Sequence, residues 1–303
     1  MGVFPVLILI MSVQFSAKVQ SASISSVKVV RPPPAKYASN SKFPHFLPES
    51  FEQWTDDSDD NLWEHTGYLE GDIMAYAGED RNGILNKTLR WPDAVVPFYI
   101  DEDDFSKDEI GVIMKAIGEY HEKTCIKFRS YTESDKNWIH IKGDRSGCWS
   151  SVGMHKEGQV VNLHTPKCVR HGVVVHELLH ALGFFHQQSA TNRDEYVKIH
   201  WDNILPGTEH NFNKYNETIV TSYGIGYDYG SVMHYSGKAF SKNGNPTIEA
   251  LQPDVELGQR KGLSERDIAK LNKMYRTSCD RNSSESSEDN YDDFFKDLIN
   301  LFG

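Results

Sequence analysis

Residues 176–186 read His176-Glu177-Leu178-Leu179-His180-Ala181-Leu182-Gly183-Phe184-Phe185-His186. The apolar run around them, Gly172 to Phe184, predicts a helix. Histidines at i and i+4 of a helix project from one face, about one turn apart. Two imidazole nitrogens at that spacing can meet one metal ion at ~2.0–2.1 Å. Glu177 follows the first histidine and does not share its direction, so it stands beside a metal rather than on it. Gly183 can take a positive φ that costs other residues more, and such a bend returns His186 as a third ligand. Three protein ligands leave a position for water, the mark of a catalytic rather than a structural zinc site. A buried helix with satisfied histidines has no packing reason for three His, a Glu and a Gly at these offsets. One zinc ion per chain is expected. Zinc lowers the pKa of water toward about 7. Glu177 would take the proton as that water attacks a carbonyl carbon, then pass it to the leaving amine. The expected reaction is peptide-bond hydrolysis without a covalent intermediate.

Outward from this segment, the whole chain sets limits. It has 303 residues, 39% hydrophobic and 25% charged, which excludes a mainly disordered, collagen-like or multi-span membrane protein. Its net charge of -11 argues against nucleic acid as a partner, because phosphate contacts need clustered Lys and Arg. Val3 to Phe15 is apolar but shorter than the ~20 residues a spanning helix needs. Ser16, Ala17, Ser21 and Ala22 follow it, so 1–22 read as a signal peptide, although a charged n-region is missing. No later stretch is apolar enough to span a membrane. A secreted, extracellular chain is expected, and its four cysteines suffice for two bridges in any of three connectivities.

Residues 23–48 carry five prolines and read as an extended leader. Glu49 to Glu64 holds seven acidic residues and no basic one, and reads as a solvated, flexible run. Periodic structure is expected after Arg90. AVVPFYI at 94–100 predicts a strand, with Pro97 suggesting an edge or a bend. Ser106 with Glu109 matches a capping box and opens a helix over 107–124. Short strands are expected at 126–128, 138–141 and 160–163, and a last helix after Ser264. Residues 281–303 read as an acidic, disordered tail.

HELLHALGFFH at 176–186, together with Tyr227-Asp228-Tyr229-Gly230-Ser231-Val232-Met233-His234-Tyr235, resembles the astacin family of metzincin zinc endopeptidases. The resemblance implies an α+β fold in two lobes: an N-terminal mixed five-stranded sheet with two long helices, and a largely irregular C-terminal lobe with one late helix. By similarity, Met233 is the Met-turn residue under the metal, and Tyr235 can bind zinc and swing to the oxyanion. Cys148, in a segment similar to a family motif, would pair with Cys168, and Cys125 with Cys279. Astacins bind substrate antiparallel to an edge strand, here expected near Gln159 to Leu163.

Leu69-Glu70-Gly71-Asp72 looks like the family's propeptide switch, with Leu69 in place of Phe. By resemblance, Asp72 is the zymogen zinc ligand and Arg81-Asn82 the activation cleavage. That gives a propeptide at 23–81 and a catalytic domain at 82–280, with protein or peptide substrates, an activating protease, and neither membrane nor nucleic acid as partners. A monomer is expected. Asn86, Asn216 and Asn282 begin sequons for glycosylation. The chain departs from the family at Gln187, Ala190 and Asn192, where Glu, Arg and Asp are usual. That Glu pairs with the mature N-terminus in astacins, so looser anchoring is expected here. The competing reading is a catalytically silent relative that binds peptides.

Overall fold

Five strands form one sheet, and its chemistry is that of a buried surface. They are β1 (Val95–Ile100), β2 (Lys127–Ser130), β3 (Ile139–Lys142), β4 (Cys148–Ser150) and β5 (Gln159–Leu163). Their order is β2-β1-β3-β5-β4, with every pair parallel except β4 against β5. Every residue of β5 is buried, which suits a strand paired on both sides. The computed structural model describes residues 30–35, 47–75, 86–218 and 220–284. The signal segment, the Arg81-Asn82 step and residues 285–303 lie outside these.

Helix α1 (Glu49–Gln53) belongs to the leader; α2 (Lys107–Lys123) and α3 (His171–Ala181) back the sheet. Ser106 and Glu109 form the expected capping box at the start of α2. Its buried stripe, Ile110, Ile113, Met114, Ile117 and Tyr120, packs into the main core. The Tyr120 hydroxyl donates to the Val175 carbonyl of α3 at 2.7 Å, tying the two helices together. From Gly172 to its end, α3 is buried all round, as its continuous apolar sequence requires.

A second, smaller core lies around Val197, Ile204, Phe212, Tyr227 and Tyr235. Its regular structure is slight: β6 (Val197–Ile199) pairs antiparallel with β7 (Ile248–Ala250). Then come α4 (Glu265–Met274) and α5 (Arg276–Ser284). Disulfides join Cys125 to Cys279 and Cys148 to Cys168. Among the described residues, no helix is long and apolar enough to cross a membrane.

Four expectations need correction. Pro97 is not on an edge, because β1 lies between β2 and β3. The β3 ladder starts only at Phe98, so at Pro97 the strand has a neighbour on one side alone, and the missing N–H is tolerated. The edge strand on that side of the sheet is β4, not 159–163, because the chain doubles back after β3 and places β5 inside; β2 is the other edge. The tail reading begins too early: α5 runs to Ser284. Finally, the acidic run 49–64 is not a solvated coil. It contains α1, and Phe51, Leu62 and Trp63 are fully buried against the main core. Composition had hidden these apolar residues among the acids.

Candidate metal centre

The site begins with two backbone carbonyls and one carboxylate that orient the three histidines. His176 and His180 lie one turn apart on α3. Gly183 ends the helix with φ +112°, and a Cβ there would come within 2.7 Å of Met274 Cε. The chain turns, and His186 comes back to its partners. The Nδ1 of His176 bonds the Val232 carbonyl at 2.9 Å, and that of His180 bonds the Phe184 carbonyl at 2.7 Å. His186 Nδ1 meets Glu70 Oε2 at 2.8 Å. With Nδ1 donating, each ring presents an Nε2 lone pair, the tautomer a metal ligand needs.

Those three Nε2 atoms converge on Asp72. His176 Nε2 lies 2.9 Å from Asp72 Oδ2, and those of His180 and His186 lie 3.3 Å from Oδ1. The four ligand atoms all fall within 4.8 Å of one another, and all four residues are buried. Asp72 Oδ1 and His180 Nε2 have no hydrogen-bond partner, and the Nε2 atoms of His176 and His186 face each other at 3.3 Å. Four acceptor atoms gathered without a donor between them are unfavourable unless a cation sits among them. The set is three nitrogens and one oxygen, as tetrahedral zinc takes them.

Glu177 is fully buried and neither of its oxygens has a partner. Burial first, then the Asp72 charge, pushes its carboxyl well above the ordinary value. An unpartnered buried carboxylate of this kind is expected at working sites rather than structural ones. Tyr235 stacks obliquely on His186 with centroids 4.7 Å apart, and its hydroxyl donates to the Glu70 carbonyl at 2.6 Å. Met233 is buried in the same loop, and its carbonyl accepts from Gln187 N–H at 2.9 Å. The loop is fixed from below: Asp267 on α4 accepts from Ser231 Oγ at 2.6 Å and from Val232 N–H at 3.0 Å.

The leader supplies more than Asp72. Glu70 bonds His186, accepts from the Tyr215 hydroxyl and donates its own N–H to Asn211 Oδ1 at 2.9 Å. Trp63 stacks on His176 at 4.2 Å. Glu64 accepts from Ser236 N–H at 2.7 Å and Ser236 Oγ at 2.8 Å, although burial pushes its carboxyl up to about 7. Gly71 takes φ +93°, and a Cβ there would meet the Trp63 carbonyl at 2.8 Å. The leader then joins the β4 edge of the sheet. Ile73 bridges Ser150 in parallel, with Ser150 N–H bonding the Asp72 carbonyl at 3.0 Å and Met74 N–H bonding the Ser150 carbonyl at 2.8 Å. Sequence reasoning missed Glu70, Glu64 and Trp63. Asn61 with Glu64 three residues on has capping-box spacing, the one local signal of order in that run.

Gln187, Ala190, Asn192 and Lys270 line a cavity of about 70 Å³ beside His186. Gln187 Oε1 accepts from Lys270 Nζ at 2.5 Å. Asn86 and Asn216 are exposed.

Residues 83–276 match the family model for the astacin peptidases. Zinc metalloproteinase nas-13 of Caenorhabditis elegans is 44% identical over 211 residues, covering 70% of this chain and 46% of that protein. Human meprin A subunit beta is 44% identical over 213 residues, covering 69% of this chain but 30% of that one. The chain thus spans less than half the length of these two relatives. Seminal metalloprotease 1 of Drosophila melanogaster is 44% identical, with 69% of this chain and 87% of that one covered. Among solved structures, high choriolytic enzyme 1, a hatching-enzyme zinc protease of the medaka Oryzias latipes, superposes with a TM-score of 0.57 at 35% identity, covering 62% of this chain and 92% of that one. The family match over residues 83–276, with 44% identity to nas-13 over 70% of the chain, makes the chain a member of the astacin family of peptidases.

Proposed function

We propose that the chain is a secreted zinc endopeptidase made as a zymogen and silenced by its own leader. One observation carries this: the Asp72 carboxylate of the leader stands among the three histidine nitrogens. In this reading 1–22 is a signal peptide, 23–81 a propeptide, 82–280 the catalytic domain and 281–303 a tail. His176, His180 and His186 would hold one zinc ion, with Asp72 in the remaining place. Zinc bound there supplies Lewis acidity, lowering the pKa of a water and polarising a carbonyl.

The chain's own groups do the rest. With the leader gone, Glu177 has no competitor for the attacking water and takes its proton, then delivers it to the leaving amine. The Tyr235 hydroxyl, released from the Glu70 carbonyl, is free to donate to the developing oxyanion. The β4 edge would take the substrate backbone antiparallel by strand addition. The leader lies on that edge in parallel, so its backbone runs opposite to a substrate and is not cut. Two disulfides and exposed sequon asparagines support an oxidising, extracellular setting.

The test is to cleave at Arg81-Asn82, separate the leader and follow digestion of a denatured protein. Digestion should begin only after separation and stop with a zinc chelator. An uncut chain that digests equally well would sink the zymogen reading.

Gln187 bears on what activation requires. It is already bonded to Lys270, and a new terminal amine entering that cavity would meet a like charge. Activity is therefore expected to tolerate imprecise trimming. Chains starting at Asn82 and one residue either side should turn over peptide at similar rates. A sharp loss on misplacement refutes this.

A further inference from the structure

The leader rests on a group of cations whose bonds go chiefly to it. Lys167 Nζ donates to the Phe51 carbonyl at 2.9 Å and to the Glu52 carbonyl, and lies 5.6 Å from the Phe51 ring centroid. Arg170 pairs with Asp56 at 2.8 and 3.3 Å. Arg260 donates to the carbonyls of Ser58 and Asp60, each at 3.3 Å. The two guanidinium groups share one indole: Arg170 lies 5.2 Å and Arg260 5.3 Å from the Trp54 ring. A hydrogen bond from Arg170 holds the Asp56 carboxyl below its usual range. The result is a cradle for an aromatic ring flanked by carboxylates. Departure of the leader leaves three cations without these partners.

A second stretch of the chain carries the same chemistry. Phe51-Glu52-Gln53-Trp54 and Tyr291-Asp292-Asp293-Phe294 share the order ring, acid, polar residue, ring. Asp297 follows Phe294 by three residues, where Asp56 follows Trp54 by two; Lys296 interrupts the match. Phe294 is ten residues past Ser284. An extended segment of that length reaches ~33 Å, about twice the ~16 Å radius of gyration of a 200-residue domain. A tethered segment also has an effective concentration of about a millimolar, so weak ion pairs and ring contacts suffice to hold it.

We propose that, once the leader has left, residues 291–297 of the chain's own tail take its place on the cradle of Lys167, Arg170 and Arg260. The zymogen reading is a premise of this exchange. Its consequence is a basic exosite that an acidic, aromatic segment of a substrate must win from the tail.

Hydrogen exchange on the zinc-loaded full chain, before and after the leader is cut and separated, tests it. Exchange at 291–297 should slow about tenfold after separation. The protection should fall in about 1 M salt, where exposed ion pairs are screened. It should also fall with Arg170→Ala/Arg260→Ala, and when a synthetic peptide of residues 50–64 is added in excess. The peptide keeps the test decisive if the double variant folds poorly. A leader that stays bound after cutting, seen by gel filtration, overturns the zymogen reading and the exchange together. A leader that leaves while 291–297 gains no protection overturns the exchange alone. Protection that survives both peptide and variant places the tail elsewhere and also overturns it.

Discussion

Two segments of the chain meet at the metal centre, and they are encoded in opposite ways. In residues 176–186 the geometry is local: one helical turn brings two histidines together, and Gly183 returns the third. In the leader, residues 47–75, the bonds that count are remote. Asp72 meets His176 across 104 positions, Glu70 meets Asn211 across 141, and Glu64 meets Ser236 across 172. Taken by composition, the leader is too polar to build a core, and that remains true: its own helix is five residues long. It is ordered because another core receives Phe51, Leu62 and Trp63. Composition thus tells whether a stretch can fold alone, and says nothing of whether it is received elsewhere.

The sharpest way to break this comparison is on the local side. In a processed chain, Glu177→Ala should lower peptide turnover by about 10²–10⁴-fold while metal analysis still finds zinc, because Glu177 is beside the ligand set and not in it. Equal turnover would remove the mechanism. The remote side is tested by Asp72→Ala in an uncut chain, with Arg81→Ala to prevent cleavage. Losing one partner of a buried charged cluster costs about 3–5 kcal/mol. That loss should loosen the leader and raise the basal turnover of the uncut chain by roughly two to three and a half orders of magnitude, at 1.4 kcal/mol per decade. A chain that stays silent means that Asp72 is not the lock.

A gentler change separates Glu70 from Asp72. Glu70→Gln keeps the shape but removes a charge that binds His186 and Tyr215. Charge-assisted hydrogen bonds contribute about 1.5–3 kcal/mol, so basal turnover should rise by roughly one to two decades. No rise would make Glu70 a passenger of the Gly-Asp turn.

Much of the centre was legible because its periods are short. The i, i+4 histidines, the capping box at Ser106, the helix opening after Ser264 and the apolar stripe of α2 all appear where spacing placed them. What was illegible depends on strand order and on distant partners. Nothing in Gln159–Leu163 shows that β4 will cover its outer side, since an antiparallel return is a choice of topology and not of local sequence. Nor does Gln187 show that Lys270, 83 residues on, will bond it. The one misread with a local remedy is Asn61-x-x-Glu64, whose spacing marks order inside an acidic run.

The smallest effect concerns an acid outside residues 47–75, and it contrasts with the acids within that stretch. Glu119 on α2 accepts from Lys123 Nζ and from Leu263 N–H, both at 2.9 Å, and meets His171 Nε2 at 2.5 Å. It therefore joins α2 to the start of α3 and to the segment before α4. Burial raises its pKa, but the bonds from His171, Lys123 and Leu263 more than offset that and bring it to about 2. The folded value lies below the ordinary 4.5. The folded chain thus binds the proton less readily than the unfolded one, and the contribution to stability is full above about pH 4.5. It is lost progressively as pH falls toward 2. Glu119→Gln should remove this dependence. Thermal midpoints measured from pH 6 down to pH 2 should therefore show the parent losing its advantage over the variant in that window. Parallel curves would mean that Glu119 gains nothing from its three donors, and that packing alone holds α2, α3 and the approach to α4 together.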